Sequence, residues 1–248
     1  MRMVKTKLNG EYEMYLPEHR ASRPEWHTDG GWERARLASM HQNIGKGDVV
    51  YYVGAELGEM AALCAIWGAE VVNFEPNYSA WPSIYQTWKA NNLPEPLANY
   101  AGFCSNVHQP IPKSPDKDLL GGNGWEIQED GYPKSAHGEI IEAHGFSELS
   151  QEADGLPQFR IDNLVADGLK PPTVITFDCE GSDWEVLRGA EETLKKYKPK
   201  IWASIHPEFM FAQFGEYSGD FRNWIKDLGY SEQYLDYKHE LHMYYEAL

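Results

Sequence analysis

Two periodicities of apolar residues alternate along the chain, and together they predict its architecture. Short apolar runs, typical of buried strands, lie at 49–53, 71–74, 98–104, 174–177 and 201–205. Apolar residues spaced by three or four, typical of helices, lie at 31–42, 57–67, 80–91, 182–198 and 220–228. Strands that alternate with helices predict right-handed crossovers and a parallel sheet.

Further local patterns refine this prediction. Residues 8–16 predict a small hairpin around Asn9-Gly10, because this dipeptide favours a tight turn. Residues 234–245 predict a closing antiparallel pair of strands. The helix after the fourth strand is predicted to begin with a capping box, which reads SDWE at 182–185.

Two loops at the carboxyl ends of predicted strands carry the candidate binding chemistry. The chain reads VGAELGE at 53–59, after the first strand, and FEPN at 74–77, at the end of the second. Gly54 and Gly58 permit a sharp turn and a close approach of backbone amides to a ligand. The helix that begins there favours an anionic group. Glu75 ends the second strand, where an acid can accept hydrogen bonds from ribose hydroxyls, so a nucleotide-like ligand is predicted.

Four motifs together carry a resemblance to a known family. They read VGAxxGE at 53–59, FEPN at 74–77, DxEG at 178–181 and LRGA at 187–190. They resemble the FkbM family of S-adenosylmethionine (SAM) dependent methyltransferases, which methylate hydroxyls of sugars and natural products. The resemblance covers roughly residues 48–208. It implies an α/β fold with a Rossmann-like class I methyltransferase sheet of about seven strands, mostly parallel with the last antiparallel, flanked by helices. A single methyltransferase domain over 1–248 is expected, with a hairpin and helix extension at 1–47.

The resemblance also implies which residues hold SAM. The expected donor contacts are Gly54, Ala55, Glu56 and Gly58 in the first loop, Glu75, Pro76 and Asn77 in the second, and Cys104 and Asp178. Glu75 is expected to accept the ribose hydroxyls, and Glu56 to face the sulfonium and amino group. A nicotinamide dinucleotide is the alternative ligand. It favours G-x-G-x-x-G for close approach to a pyrophosphate, and the acid at Glu56 would repel that group.

Three positions depart from the family pattern. Where the family reads DVGAN, this chain has Tyr52 in place of the strand-end acid and Glu56 in place of the asparagine. Where the family reads KIDVEG, Thr176 stands in place of the lysine. We expect Glu56 to take over from the missing strand-end acid. Tyr52 and Thr176 also keep open a second hypothesis, in which the chain is a catalytically silent SAM-fold binding module.

Candidate catalytic groups follow the fourth and fifth strands. Asp178 and Glu180 end the fourth strand and His206 ends the fifth, and neighbouring strand ends converge on the ligand crevice of such a sheet. Methyl transfer to a hydroxyl benefits from a general base or from a metal that lowers the hydroxyl pKa. His206 is the expected base, and Asp178 is expected to orient it, hold the donor or bind Mg²⁺ through oxygen. Mg²⁺ is therefore a second candidate cofactor, with Asp178, Glu180 and His206 as its predicted ligands.

Composition limits the classes of function. The formal net charge of −16 in 248 residues argues against a nucleic-acid acceptor, which calls for a basic face. Cys64, Cys104 and Cys179 lack ligand-like spacing and are expected to be reduced thiols. No apolar stretch approaches the about 20 residues that span a membrane, and the amino terminus lacks the apolar core of a signal peptide. We therefore expect a cytoplasmic protein without a membrane partner.

The alternation of strands and helices breaks down at 106–156, where turn-forming residues are frequent. We expect this insertion to form a lid over the substrate, with a solvated loop as the alternative. The candidate residues for an acceptor pocket are the aromatics outside the sheet, namely Trp26, Trp32, Trp125 and Tyr132. The predicted partner is a glycan or small-molecule acceptor, either a carbohydrate, a glycosylated natural product or, as the alternative, a non-sugar small molecule. A homo-oligomer is also considered.

Overall fold

The computed structural model describes residues 1–109, 157–238 and 240–248. The strands of these residues are β1 (Met3–Leu8), β2 (Tyr12–Pro17), β3 (Val49–Val53), β4 (Glu70–Phe74), β5 (Ala98–Tyr100), β6 (Phe103–Cys104), β7 (Gln158–Phe159), β8 (Val174–Asp178), β9 (Lys200–Ile205), β10 (Tyr230–Tyr237) and β11 (Leu241–Ala247). The helices are α1 (Glu18–Ala21), α2 (Arg34–Asn43), α3 (Glu59–Ile66), α4 (Trp81–Ala90), α5 (Ile161–Ala166), α6 (Asp183–Arg188), α7 (Glu191–Tyr197), α8 (Pro207–Phe214) and α9 (Ser218–Asp227). Short 3₁₀ turns lie at Pro24–His27 and Tyr78–Ala80.

Seven strands form the main sheet, in the order β5-β4-β3-β8-β9-β11-β10. The strands from β5 to β9 pair in parallel, whereas β11 pairs antiparallel with both β9 and β10. The predicted seven-stranded, mostly parallel sheet with a reversed last strand is therefore confirmed. The closing antiparallel pair is also present, with strands that extend beyond the predicted 234–245.

The side chains of β3 are buried on both faces of the sheet, which explains the unbroken apolar run at 49–53. Val50 and Tyr52 pack into one core, on the side of α2 and α3, while Val49, Tyr51 and Val53 pack into the other. Successive residues of a strand point to opposite faces, so a strand covered on both faces is apolar at every position. All five residues of β3 are buried.

The parallel register brings the functional loops to one edge of the sheet. Val53 lies opposite Phe74 on β4 and Phe177 on β8, and Asp178 lies opposite Ser204 on β9. The chain leaves all four strands near this level, so the loops after them lie side by side.

The segment 1–47 packs against this core. The predicted hairpin is formed by β1 and β2, with Asn9 and Gly10 both at positive φ in the turn. The Asn91 side chain, just after α4, exchanges two hydrogen bonds of 2.8 Å with the backbone of Tyr15 in β2. Helix α2 lies at 34–43, three residues after the predicted start, and packs through Leu37 and Met40.

Two predicted elements are each divided into two. The 98–104 run forms β5 and β6, because the chain leaves the main sheet after Tyr100 and β6 pairs with β7. The helix predicted over 182–198 forms α6 and α7. A Cβ built on Gly189, between them, would lie 2.1 Å from the backbone oxygen of Ser105.

Helix capping also differs from the prediction. Ser182 precedes α6 but makes no side-chain capping hydrogen bond. The side chain of Asp162, in α5, instead accepts hydrogen bonds from the backbone amides of Glu192 and Thr193 at the start of α7. This cap comes from a residue distant in sequence, which a local motif cannot reveal.

Several predictions concern residues outside the described ranges. They are the lid over 106–156, apart from its first four residues, and the acceptor residues Trp125 and Tyr132. Among the described residues, no helix has both the length and the apolar character required to cross a bilayer. The three cysteines are free thiols, as predicted, with Cys64 and Cys104 buried.

Candidate active site

A cavity of about 1140 Å³ opens at the carboxyl edge of the sheet. Its walls come from the loops after β3, β4 and β8, from helix α8 and from the segment before α2. The predicted site residues that line it are Gly54, Ala55, Glu56, Glu75, Pro76, Asn77, Cys104, Asp178, Glu180 and His206. Of the predicted acceptor residues, Trp26 and Trp32 also line it.

The glycines of the first loop are required by close packing. Gly54 has a φ of +77°, and a Cβ at this position would lie 2.0 Å from the backbone oxygen of Asp178. Gly58 has a φ of +89°, and its Cβ would lie 3.0 Å from the Cα of Ile84 in α4. Gly58 therefore shapes the loop by packing against a helix and does not line the cavity. The loops after β3 and β8 touch through their backbones at Gly54.

Glu75 is a buried carboxylate that holds two loops together. One of its oxygens accepts a hydrogen bond from the amide of Glu56 and the other from the amide of Asn77, both at 2.7 Å. Burial raises the pKa of Glu75 to about 8. A carboxylate offers about four lone-pair positions, so two remain on a group that lines the cavity. These acceptor positions fit the ribose hydroxyls of SAM, because two hydroxyls can donate hydrogen bonds to them.

Glu56 lies between this loop and the N-terminal segment. Its backbone has a φ of +49°, a region that favours asparagine over most other residues. Its side chain is 64% exposed and forms an ion pair of 2.9 Å with Arg20 at the end of α1. Arg20 also pairs with the buried carboxylate of Glu59, at the start of α3. The Glu56 carboxylate is thus placed at the cavity by an arginine from outside the sheet.

The loops after β8 and β9 meet at a cluster of titratable groups. His206 Nε2 lies 3.0 Å from a carboxylate oxygen of Glu240, 3.7 Å from Asp178 and 3.9 Å from Glu180. Glu240, between β10 and β11, is 2% exposed, whereas the side chain of Glu180 is 69% exposed. Asp178, His206 and Glu240 each offer a ligand atom within 4.8 Å of the other two. Glu240 therefore occupies the place expected for Glu180 in the predicted metal set.

The environment of the cluster raises the pKa of His206 and of Asp178. Burial lowers the pKa of His206, but the hydrogen bond with Glu240 and the charge of Asp178 outweigh this effect and raise it to about 9. Burial and the nearby charge of Glu240 raise the pKa of Asp178 above its ordinary value. His206 is consequently an imidazolium at neutral pH in the ligand-free protein. Between the two carboxyl groups of the cluster, the pKa of Asp178 is raised, whereas, despite burial, the hydrogen bond with His206 helps to lower the pKa of Glu240.

A second buried ion pair lies behind the β3 and β8 strand ends. Arg36, in α2, is 1% exposed and pairs with Glu33. Its guanidinium also donates a hydrogen bond of 2.9 Å to the hydroxyl of Thr176 and lies 3.5 Å from the hydroxyl of Tyr52. Tyr52 and Thr176 are the two strand positions that depart from the family pattern, and both contact the same arginine.

Four functional candidates were not found from the sequence. They are Arg20, Glu33, Arg36 and Glu240, and each lies outside the predicted strand-end motifs. The first three belong to the segment before β3, where no local pattern connects them with the sheet. Glu240 lies two residues before His242 in a short connection between strands, and an acid so placed is more often solvated than buried.

Comparison with known families gives a match over most of the chain. The model of the family described as Methyltransferase FkbM domain matches residues 48–232. A search of curated proteins found no significant match. The match includes the loops after β3, β4, β8 and β9, and it excludes α1, α2 and Glu240.

Solved structures support the same fold. A methyltransferase FkbM from Methylobacillus flagellatus is 15% identical with a TM-score of 0.51, over 80% of this chain and 43% of that one. This chain thus spans less than half the length of that protein. An rRNA methylase from Streptococcus thermophilus is 9% identical with a TM-score of 0.50, over 86% of this chain and 93% of that one. A ribosomal protein L11 methylase from Lactobacillus delbrueckii subsp. bulgaricus is 8% identical with a TM-score of 0.50, over 86% of this chain and 77% of that one.

Proposed function

Because the chain belongs to the FkbM methyltransferase family, we propose that it is a SAM-dependent O-methyltransferase that acts on a hydroxyl of a carbohydrate, glycan or glycosylated natural product. One observation carries the proposal. The Gly54 loop and Glu75, which suit a nucleoside, share one cavity with the cluster of Asp178, His206 and Glu240. A donor and a group able to accept a proton can therefore meet in the same space.

The donor end is formed by the loops after β3 and β4. Glu75 accepts hydrogen bonds from the ribose hydroxyls, and its two backbone contacts keep it in place. Glu56, held by Arg20, presents a negative charge to the cationic part of the donor. When bound, SAM supplies an electrophilic methyl group on a positively charged sulfur. Binding a cation here also favours the ionised form of Glu75, whose pKa is raised by burial.

The acceptor end is formed by Asp178 and its neighbours. As the acceptor oxygen forms its bond to the methyl carbon, the carbon–sulfur bond breaks and the hydroxyl proton passes to the carboxylate of Asp178. A base with a pKa nearer neutrality is more effective than an ordinary aspartate, and burial raises the pKa of Asp178 in this direction. The imidazolium of His206, held by Glu240, orients Asp178 and stabilises its ionised form between turnovers.

The charges around the cavity favour a neutral or cationic acceptor. Among the described residues, nine acidic side chains line it, namely Glu33, Glu56, Glu59, Glu75, Asp178, Glu180, Glu185, Glu208 and Glu240. The basic residues in the same lining are Arg20, Arg23 and His206. A phosphorylated or nucleic-acid acceptor would meet repulsion from this surface. Phe209 and Phe214 of α8 line the cavity and are each more than 40% exposed, which suits stacking against a sugar ring.

A metal-assisted version of the reaction uses the same cluster. Asp178 and Glu240 provide oxygen ligands of the kind that Mg²⁺ prefers, and His206 provides a nitrogen. A metal bound by these three side chains would take the place of the proton that makes His206 an imidazolium. Treatment with EDTA separates the two versions, because activity that is lost and then restored by Mg²⁺ supports the metal, whereas unchanged activity supports the proton acceptor.

Binding and transfer test the proposal separately. We expect calorimetry to detect SAM and its demethylated product, S-adenosylhomocysteine, and Glu75→Ala to weaken binding about 10- to 100-fold, the worth of charge-assisted hydrogen bonds. Glu70→Ala is the matched control, because Glu70 begins the same strand but is exposed at its far end. Saturable binding of NAD without binding of SAM would refute the donor assignment.

The acceptor is tested by transfer of a radiolabelled methyl group to neutral glycosides, amino glycosides and sugar phosphates. We expect transfer to the first two classes and little to the third. Binding of SAM without transfer to any acceptor class would instead support the silent binding module.

A further inference from the structure

We propose that Arg36 is a positioning residue that aligns the ends of β3 and β8, supplying from helix α2 the positive charge that the family pattern places on β8. This inference rests on the proposed function, because its consequence is the geometry of the donor loop. Arg36 lies outside the residues that the family model matches. The N-terminal segment is thereby part of the donor site.

The contacts of Arg36 connect the ends of β3 and β8, and this set of contacts is called the clamp below. One terminal nitrogen of the guanidinium pairs with the carboxylate of Glu33, and the other donates 2.9 Å to the hydroxyl of Thr176 on β8. The second nitrogen also lies 3.5 Å from the hydroxyl of Tyr52 on β3 and 3.5 Å from the carbonyl oxygen of Phe177. A planar guanidinium can contact several acceptors at once in a fixed geometry, which a lysine cannot.

The two strand partners of Arg36 face each other directly. Tyr52 and Thr176 are register partners across β3 and β8, and both are buried. The family pattern places an acid at the first position and a lysine at the second, so opposite charges would face each other across the strands. Here the two charges are Glu33, immediately before α2, and Arg36, in the first turn of that helix. Arg36 contacts both strand positions, and Glu33 pairs with Arg36.

Alignment of these strands matters because their loops touch two residues later. Gly54 follows Tyr52 by two residues, and Asp178 follows Thr176 by two. A Cβ on Gly54 would lie 2.0 Å from the backbone oxygen of Asp178, so the two loops are in close backbone contact. A relative shift of β3 and β8 therefore moves the donor loop against Asp178. Arg36 acts through this contact and does not line the cavity.

The test removes the positive charge from Arg36 on α2 and places a positive charge at position 176 on β8. We expect Arg36→Ala to weaken S-adenosylhomocysteine binding, measured by calorimetry, at least tenfold. Arg36→Ala combined with Thr176→Lys is expected to recover affinity to within about threefold of the unmodified protein, because the lysine occupies the space of the guanidinium and faces Glu33. Thr176→Lys alone, which places two cations together, is expected to weaken binding. Arg34→Ala, an exposed arginine on the same helix, is the matched control and should bind normally.

The outcomes separate this inference from the proposed function. Failure of the unmodified protein to bind S-adenosylhomocysteine would refute the donor, and melting temperatures of the same variants would then test the clamp, with recovery in the double variant supporting it. A folded Arg36→Ala variant with unchanged affinity overturns the inference, as does a double variant no better than Arg36→Ala. If Arg36→Ala does not fold, Thr176→Val removes the 2.9 Å hydrogen bond alone, and unchanged affinity in that variant also overturns it.

Discussion

The part of the chain that matches the family and the parts that flank it contribute to the cavity in different ways. The matched residues, 48–232, provide the backbone of the site. Its loops turn at Gly54, and its strand ends carry Glu75, Asp178 and His206. The flanking residues provide charged side chains that hold this backbone, namely Arg20, Glu33, Arg36 and Glu240.

This difference shows how a fold can tolerate changes in its own motifs. The sheet fixes where strand ends lie, because parallel register leaves little freedom at that edge. The charges near those ends are not tied to one position, since any side chain that reaches the same space can supply them. In this chain Arg36 of α2 contacts Thr176, where the family pattern has a lysine, and Glu240 reaches His206 from the connection between β10 and β11.

The strongest disruption is expected within the matched region. Asp178→Asn removes the proposed proton acceptor, and His206→Ala removes the cation that orients Asp178 and keeps it ionised. Each should lower turnover by roughly 10²- to 10⁴-fold. SAM affinity should stay within about twofold in His206→Ala, because the Gly54 loop and Glu75 hold the donor. Single-turnover kinetics with calorimetry measures both quantities. An unmodified methylation rate in Asp178→Asn would show that the proton acceptor is another group.

A flanking residue should have a smaller effect on the same reaction. Glu240→Gln removes the charge that holds His206 but leaves Asp178 in place, so turnover should fall by about 10- to 100-fold. Glu246→Gln, an exposed acid on β11, is the matched control. An effect of Glu240→Gln equal to that of Asp178→Asn would show that the flank provides a catalytic group and not a support.

The stability of the ligand-free protein should decrease as pH rises from about 5 to 8. Burial raises the pKa of Glu75 to about 8 and of Asp183 to about 7, so the folded state binds more protons than the unfolded state in this range. Stability falls with pH wherever the folded state holds the extra protons. We expect a loss of roughly 1–3 kcal/mol, or about 3–10 °C in melting temperature. Calorimetric scans should show a smaller slope in Glu75→Gln, and an equal slope would contradict this origin.

The smallest expected effects are on SAM affinity, at two residues that depart from the family pattern. Glu56→Gln should weaken SAM binding by about two- to fivefold, since an exposed charge contributes modestly. Tyr52→Phe should leave affinity nearly unchanged, because it removes only a contact of 3.5 Å with Arg36 and keeps the hydrogen bond of 2.9 Å from Arg36 to Thr176. Calorimetry on both variants gives the comparison. Equal and negligible effects would show that neither side chain contributes to the donor site.

The sequence alone determined the sheet and the position of its loops. The apolar runs at 49–53 and 174–177 were readable because a strand covered on both faces must be apolar throughout. Gly54, Glu75 and Asp178 could be placed at one edge because parallel strands deliver their carboxyl ends together. These inferences use only local spacing and the general geometry of parallel sheets.

Tertiary structure alone decided which charges meet at that edge. Arg36 contacts Thr176 across 140 positions of sequence, and Glu240 reaches His206 from a connection that no motif marks. Such pairs depend on how helices and hairpins pack around the sheet, and packing is not encoded by a local period. Tertiary packing also explains Gly189, between α6 and α7, because the backbone of Ser105 leaves no space there for a side chain.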